Sequence, residues 1–223
     1  FRRVLFRSSD EADRDGEVTL LITKEHFFPW SPDTPFLYDL TVGTTQGGEE
    51  DCDTVHSYFA LRKWSCAPDA KGVLRFCLND KPILLNGLLD QGYWPDGLYT
   101  PPSDAAVERE LSEVKALGFN LLRKHAKIEP QRWYYHCDKL GLVVWQDIVN
   151  GGSRYNLWFV TYLTNVLQPL LRRLPDAEPL WGLLSRGKES FRETYRRELE
   201  ATVQALSAHP CIGCWVPFNE GWG

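Results

Sequence analysis

"FNLLRKHAKIEPQRWYYHCDKLGLVVWQD", residues 119–147, is the stretch that decides the fold. Its two ends, "FNLLRKH" and "LVVWQD", are apolar runs of strand length, and the residues between them have a helical pattern. Pro130 stands at the first helical position, apolar residues recur at 133, 137 and 140, and Gly141 follows as a helix terminator. A buried strand, a helix and a second buried strand are typical of a parallel sheet covered by helices.

The same alternation extends to both sides of this stretch. Upstream, "VLRFCLNDKPILLNG" (73–87) predicts a strand, a turn and a strand, and "SDAAVERELSEVKALG" (103–118) predicts a helix. Downstream, residues 189–210 predict a helix and "CIGCWVPFNE" (211–220) a fourth strand. Such a series is half of a doubly wound sheet or half of a (β/α)8 barrel. No G-x-G-x-x-G turn follows the first strand, so the N-terminal half of a TIM barrel is predicted over 67–223.

The first third of the chain has a β pattern. The runs at 17–22, 36–44 and 56–62 predict strands, and prolines at 29, 32 and 35 exclude a helix between the first two. Short strands at this spacing predict part of a β-sandwich over 17–66. Residues 1–16, which begin "FRRVLFRSSD", are interpreted as a non-native or disordered lead.

The composition is typical of a soluble globular protein and excludes several functions. The net charge is −5 and basic residues occur in short clusters, which argues against a nucleic-acid surface. No window approaches about 18 consecutive apolar residues, so no membrane helix is predicted. Cys211 and Cys214 have the spacing of a zinc or redox site, but no second Cys pair or His-x-His accompanies them, so we interpret them as core residues. No metal or other cofactor is predicted.

Polar side chains stand at the C-terminal end of each of the four predicted barrel strands. These residues are Asp90, then Arg123 and His125, then Asp147, and finally Asn219 and Glu220. Because TIM-barrel active sites form at that edge, we expect these groups around one rim. Simpler interpretations stay open for three of the ends: a turn cap for Asp90, a solvated strand end at 123–125, and a pairing of Asp147 with Arg154.

The chemistry that suits such a rim is carboxyl-based hydrolysis of a glycosidic bond. The leaving oxygen needs a proton, and burial of Glu220 among Trp215, Phe218 and Trp222 would raise its pKa as a general acid requires. The amide of Asn219 can bond a sugar hydroxyl. Arg123 can bind a hydroxyl or a carboxylate, and an indole face such as that of Trp222 can stack on a sugar ring.

Several motifs resemble those of one enzyme family. "HPCIGCWVPFNEGWG" (209–223) is similar to the stretch around the acid/base glutamate of glycoside hydrolase family 2, which contains β-galactosidases, β-glucuronidases and β-mannosidases. "WSPDTPFLYDLTV" (30–42) and "YFALRK" (58–63) resemble the end of that family's immunoglobulin-like domain. "FCLNDKPILLNG" (76–87), "LGFNLLRKH" (117–125) and "DKLGLVVWQD" (138–147) resemble the strand that leads into the barrel and its second and third strands.

The resemblance implies a multidomain β-glycoside hydrolase: a partial immunoglobulin-like β-sandwich followed by the first half of the barrel. It implies a retaining mechanism in which Glu220 is first acid and then base, and Asn219 contacts the sugar 2-hydroxyl. Asp90, His125, Asp147 and Trp222 are further candidate substrate-binding residues. Gln146-Asp147 stands where many members have Asp-Glu, and 123–127 differs from the Ser-His-Tyr-Pro of many β-galactosidases, so only Arg123 is carried over from that strand.

The family's nucleophile is a second glutamate near the end of the seventh strand. We therefore expect this chain to be a fragment, almost inactive by itself, whose complete protein is a glycosidase. The alternative is a non-catalytic carbohydrate-binding or interaction module. The sequence leaves open the sugar, the linkage, the compartment and whether the complete protein is a homo-oligomer.

Overall fold

The computed structural model describes residues 18–46, 49–149, 156, 158–167, 169 and 188–219. The chain divides into two compact units that meet between Leu84 and Leu85. This division falls later along the chain than the predicted domain boundary after residue 66. The predicted lead at 1–16 lies outside the described residues.

The first unit consists of short antiparallel sheets. Its elements are a 3-10 helix at Lys24–His26 and the strands β1 (Tyr38–Gln46), β2 (Glu49–Phe59), β3 (Trp64–Pro68), β4 (Leu74–Leu78) and β5 (Lys81–Pro82). β1 pairs with β2, from Tyr38 opposite Phe59 to Thr44 opposite Asp53 and, beyond a register shift, Gln46 opposite Glu49. β3, β4 and β5 form a second, three-stranded antiparallel sheet.

The turn between β4 and β5 fixes the second of these sheets. Asn79 and Asp80 both have positive φ, 52° and 65°, the conformation of a tight hairpin turn in which Asn and Asp are favoured. The Asn79 side chain accepts a hydrogen bond from the Lys63 backbone N–H at 3.0 Å and donates one to the Trp30 carbonyl at 2.9 Å. Trp30 is fully buried. The predicted turn at 79–80 is confirmed, and it also ties the hairpin to the core of this unit.

Two sequence predictions in this unit differ from the structure. The strand predicted at 17–22 is wrong over its described part: residues 18–23 form no strand and lead into the 3-10 helix. Leu21 is 75% exposed there, so its apolar side chain finds no sheet to pack on. β3 was not predicted, because a five-residue strand with few β-branched residues has little signal of its own. Its pairing with β4 makes it a strand.

The second unit alternates strands and helices. Its elements are β6 (Gly87–Asp90), α1 (Asp104–Ala116), β7 (Leu121–Lys124), α2 (Gln131–Leu140), β8 (Val143–Asp147), a π-helical segment (Trp158–Leu163), α3 (Thr164–Leu167), α4 (Glu189–Leu206) and β9 (Ile212–Val216). The four strands are parallel and lie in the order β6-β7-β8-β9. A doubly wound sheet reverses its strand order at a switch point, whereas barrel strands follow one another in sequence. The order of the four parallel strands is thus consistent with a partial TIM barrel.

The helix ends are set by local capping. Ser103 Oγ accepts a hydrogen bond from the Ala106 N–H at 3.1 Å, which makes Ser103 the N-cap of α1. Gly118 and Gly141 follow α1 and α2 with φ of 89° and 73°, the left-handed conformation that glycine adopts most easily. Pro130 immediately precedes α2. The predicted end of α2 at Gly141 is confirmed, whereas Pro130 lies one residue before the helix and not at its first position.

The buried core of this unit joins α2 to the sheet. Trp133, Tyr134 and Cys137 of α2 are at most 3% exposed, and Val143 and Val144 of β8 are fully buried. Asp138, also on α2, accepts hydrogen bonds from the Cys211 N–H at 2.8 Å and pairs with His209 Nδ1 at 2.7 Å. α2 therefore also fixes the start of β9. Within the described ranges, no helix has the length and apolar character needed to cross a membrane.

Candidate active site

Strand alternation divides the polar residues of β7 and β8 between two faces of the sheet. Side chains of successive strand residues point to opposite faces. Arg123 lies opposite Trp145 and shares its face with Asp147, and Lys124 lies opposite Gln146 and faces α2. We refer to these surfaces as the Arg123 face and the Lys124 face.

Arg123 and Asp147 form a bidentate ion pair at the C-terminal ends of neighbouring strands. Arg123 Nε donates to Asp147 Oδ1 and Nη2 to Oδ2, both at 3.0 Å. His125 Nδ1 lies 2.7 Å from Asp147 Oδ2. The Asp147 side chain is fully buried, whereas those of Arg123 and His125 are 34% and 24% exposed. One buried carboxylate therefore fixes two side chains that reach solvent.

Asn219 joins this cluster from the segment after β9. Arg123 Nη2 donates to Asn219 Oδ1 at 2.6 Å. Because this contact uses the amide oxygen, the amide nitrogen is the part of Asn219 that can donate to another group. The sheet also has a register shift between β8 and β9, with Val144 opposite Ile212 but Trp145 opposite Cys214. Such a bulge redirects the strand that leads to Asn219.

Asp90 belongs to a different group of charges, on the Lys124 face. Its Oδ2 accepts from Lys124 Nζ at 2.9 Å and its Oδ1 from the Gly92 N–H at 2.7 Å. The second contact is the turn cap that the sequence left open. The structure thus brings together Arg123, His125, Asp147 and Asn219, but the Asp90 carboxylate points to Lys124.

A buried ionic network surrounds Lys124. Lys124 Nζ, 1% exposed, also pairs with Glu129 Oε1 at 2.6 Å and lies 4.5 Å from the centre of the Trp133 ring. Lys127 Nζ contacts the same Glu129 oxygen at 2.9 Å. Two lysines thus balance Asp90 and Glu129. Sequence reasoning missed this network, although alternation through "RKH" places Lys124 on the face opposite Arg123 and His125.

Gln146 stands where many members of the resembled family have the aspartate of an Asp-Glu pair. In this structure its side chain has a structural role. Its Oε1 accepts from the Tyr134 hydroxyl at 2.7 Å, and its Nε2 donates to the carbonyls of Lys127 at 2.9 Å and Asp147 at 2.8 Å. Burial raises the pKa of Tyr134, so the hydroxyl stays protonated and donates to Gln146. Gln146 therefore anchors α2 and the segment after β7 to the end of β8.

Cys211 and Cys214 are shielded from solvent to different degrees. Cys211 is fully buried and Cys214 is half-buried, and burial, aided by the negative charge of Asp147, raises the pKa of the Cys214 thiol. The described ranges contain no group of three or more His, Cys, Asp or Glu side chains that could hold a metal ion. Glu220, Trp222 and Arg154 lie outside the described residues, so their predicted roles stay predictions.

Comparison with known proteins shows similarity to glycosidases. The exo-β-D-glucosaminidase of Amycolatopsis orientalis is 29% identical over 130 residues, 54% of this chain and 12% of that enzyme. The β-galactosidase of Pectobacterium atrosepticum is 25% identical over 195 residues, 87% of this chain and 16% of that enzyme. The resemblance to glycoside hydrolase family 2 is confirmed. This chain spans less than a fifth of the length of either relative. No protein-family profile matches it.

Solved structures of β-glucuronidases share the fold. β-Glucuronidase 3 of Bacteroides uniformis superposes with a TM-score of 0.60 at 22% identity, covering 84% of this chain and 19% of that one. The β-glucuronidase of Ruminococcus gnavus superposes with a TM-score of 0.62 at 16% identity, covering 88% of this chain and 28% of that one. At these identities the likeness concerns the fold alone.

Proposed function

We propose that this chain is part of a retaining β-glycoside hydrolase in which Glu220 is the general acid and then the general base. The observation that carries the proposal is the 2.6 Å contact between Arg123 and Asn219, the residue before Glu220. This contact joins Asn219 to a buried ion pair at the C-terminal edge of the parallel sheet. Barrel enzymes hold their catalytic groups at this edge.

The residues around Arg123 have separate roles in this proposal. Arg123 holds the Asn219 oxygen, so the Asn219 nitrogen donates to the sugar 2-hydroxyl, a bond that strengthens in the transition state. His125 and the exposed edge of Arg123 bind substrate hydroxyls or a substrate carboxylate. Asp147 positions both side chains. Its two oxygens are occupied by Arg123 and His125, so it is poorly placed to attack a sugar carbon.

A retaining mechanism needs two carboxyl groups about 5 Å apart. We assign the nucleophile to a second glutamate on a later barrel strand of the complete protein, and we expect residues 1–223 alone to turn over substrate very slowly. We assign the barrel domain to the second unit, residues 85–223, in place of the predicted 67–223, and an immunoglobulin-like sandwich to the strands predicted within 17–66. The antiparallel pairing of β1 with β2 supports the second assignment.

The acid/base assignment is tested by Glu220→Gln in the product of the complete gene. A methyl β-glycoside has a poor leaving group and needs a proton, whereas a 2,4-dinitrophenyl β-glycoside does not. We expect kcat/KM to fall about 100-fold or more for the methyl glycoside and less than about tenfold for the dinitrophenyl glycoside. Glucuronides, galactosides and glucosaminides are compared in parallel, because the sugar is unassigned.

Glu193→Gln provides the matched control. Glu193 lies on α4 with a side chain 61% exposed and pairs only with nearby Arg196 in the contacts described. We expect its rates to stay within about twofold of wild type. Wild-type rates in Glu220→Gln on both substrates would refute the acid/base role. Sugar binding without turnover of any glycoside by the wild-type protein would favour the non-catalytic module.

A further inference from the structure

An exposed pair of aromatic rings lies on the segment between β6 and α1, which the active-site cluster does not use. The Tyr93 and Tyr99 ring centres are 4.7 Å apart at an interplanar angle of 30°. Their hydroxyl oxygens are 2.7 Å apart, within hydrogen-bond distance. The two residues are nevertheless 60% and 54% exposed. The pair is thus ordered by its own contacts and still open to solvent.

The backbone around the pair is held rigidly. Trp94 and Leu98 exchange two backbone hydrogen bonds of 2.7 and 3.0 Å, which close a small loop between the two tyrosines. Lys127 Nζ donates to the carbonyls of Gly92 at 3.1 Å and Tyr99 at 2.6 Å, so it ties both ends of the loop together. Lys127 is only 11% exposed and is neutralised by Glu129.

Gly92 lets this loop lie directly against the ionic network. Its φ is +68°, and a Cβ there would lie 2.6 Å from Glu129 Oε1 and 2.9 Å from Lys124 Nζ. Both the conformation and the space therefore require glycine. The buried charges next to β7 consequently fix a loop whose outer surface is aromatic. Rigid aromatic groups bind with little loss of conformational entropy, which is typical of a preformed binding site.

We propose that Tyr93 and Tyr99 form a subsite that stacks on the sugar ring on the leaving-group side of the cleaved bond. This inference rests on the proposed function. The loop follows the C-terminal end of β6, at the same edge of the sheet where Arg123 of β7 contacts Asn219 of the segment after β9. A pyranose ring has an apolar face that suits tyrosine rings, and its hydroxyls suit the phenol hydroxyls at their edge.

The exposure of the pair favours the leaving-group sugar over the sugar that is attacked. The Arg123 cluster is built on a fully buried carboxylate and holds its polar groups in fixed positions, as recognition of the reacting sugar requires. The tyrosine pair offers ring faces and neutral hydroxyls on an open surface. Such a surface binds weakly and releases its ligand, which suits a product that must depart first.

The test uses the product of the complete gene and the variants Tyr93→Ala, Tyr99→Ala and Tyr93→Phe. Substrates are a methyl β-glycoside and a β-linked disaccharide with the same non-reducing sugar. For each alanine variant we expect the disaccharide KM to rise about tenfold with kcat nearly unchanged, while the methyl glycoside stays within about twofold. Tyr93→Phe keeps the ring, so its disaccharide KM is expected to rise less than about threefold. An equal fall of kcat/KM on both substrates in the alanine variants, or no fall on either substrate, would overturn the subsite.

Tyr135→Ala is the matched control, because Tyr135 is a tyrosine on α2, 38% exposed, and is not part of the loop. Binding is also measured by calorimetry with sulfur-linked disaccharides that resist hydrolysis, bearing glucuronic acid, galactose or glucosamine. Binding that is weakened about tenfold by Tyr93→Ala, in a protein that hydrolyses nothing, would uphold the subsite and reject the proposed hydrolysis. Hydrolysis of the disaccharide with no effect of Tyr93→Ala on KM or binding would uphold the proposed hydrolysis and reject the subsite. A wild-type protein that binds none of the three probes would also overturn the subsite.

Discussion

The carboxylate of Asp147 contacts two Arg123 nitrogens and one His125 nitrogen while its side chain is completely buried. Charged hydrogen bonds in so dry a position are strong when every partner is present and costly when one is removed. Asp147 thus determines where the Arg123 guanidinium lies, and through it the side chain of Asn219. The chain of contacts runs from a buried charge to the residue next to Glu220.

Asp147→Asn tests this dependence with almost no change of volume. The variant loses the charge and presents an amide group where Arg123 or His125 needs an acceptor. We expect the free energy of unfolding to fall by about 3 kcal/mol, measured in urea at pH 7 by tryptophan fluorescence. In the complete protein we expect kcat/KM to fall about 100-fold, because Asn219 loses its orientation.

The control for this variant is Asp104→Asn. The Asp104 side chain is 53% exposed and lies 3.6 Å from Arg132. Removal of its charge should therefore lower the free energy of unfolding by less than about 0.5 kcal/mol. Equal losses in the two variants would contradict the role assigned to Asp147.

The sequence predicts part of this cluster for a definite physical reason. The ends of parallel strands meet at one edge, so Arg123, Asp147 and Asn219 are expected together, and Arg123 contacts both of the other two. The position of Asp90 at a strand end does not predict which way its carboxylate points. Its carboxylate turns to Lys124, a partner supplied by the next strand, and strand position alone does not reveal such a pairing.

Helix α1 carries a carboxyl group toward the ionic network on the Lys124 face. Glu110 is solvent-exposed, yet partial desolvation raises its pKa, with a further contribution from the charge of Asp90 and smaller ones from Glu129 and Glu113. Lys124 opposes these effects but does not cancel them. The ionised form of Glu110 is thus less favourable in the folded protein than in the unfolded chain.

Glu110→Gln is therefore expected to stabilise the protein at neutral pH. A carboxyl whose folded pKa is raised takes up protons on folding, so its presence lowers stability as the pH rises above the ordinary value of 4.5. The variant should unfold at higher urea than wild type at pH 7, and the difference should vanish near pH 4. Glu113→Gln, one turn later on the same helix and 64% exposed, serves as the control. A stabilisation that is equal at both pH values would contradict the assignment.

At the scale of elements, the predictions succeed where the signal is local. Ser103, Gly118 and Gly141 mark helix ends through their own hydrogen bonds and backbone angles, which requires no knowledge of the rest of the fold. The strand predicted at 17–22 and the unpredicted β3 depend instead on whether a partner strand lies beside them. Strand formation is decided by such partners, which is why these two predictions differ from the structure.

At the scale of the whole molecule, the order of the sheet carries the most information. Helical connections lead β6 to β7, β7 to β8 and β8 to β9, with each strand beside its predecessor. Periodicity predicted the strands and helices but could not separate a barrel from a doubly wound sheet, and only the missing glycine motif favoured the barrel. The observed order supports that choice, as does the likeness to β-glucuronidase structures.

The same order predicts a gradient of hydrogen exchange across the sheet in this 223-residue chain. β7 and β8 have strand neighbours on both sides, whereas β6 and β9 have one neighbour each among the described residues. Leu88 and Leu89 of β6 are 40% and 58% exposed, while Val143 and Val144 of β8 are fully buried. We expect the backbone amides of β6 and β9 that point away from the sheet to exchange at least about tenfold faster than the backbone amides of β7 and β8. Exchange is measured residue by residue by NMR.

Measurement at two protein concentrations separates the causes of any protection at the edges. An open edge strand with exposed apolar residues can pair with another chain, so edge exchange that slows as the concentration rises would show association between copies through β6 or β9. The amides of α2, which have intrahelical partners, should be unaffected and serve as the internal reference. Edge amides as slow as those of β8 at both concentrations would contradict the prediction, because another strand of the same chain would then have to cover the edge.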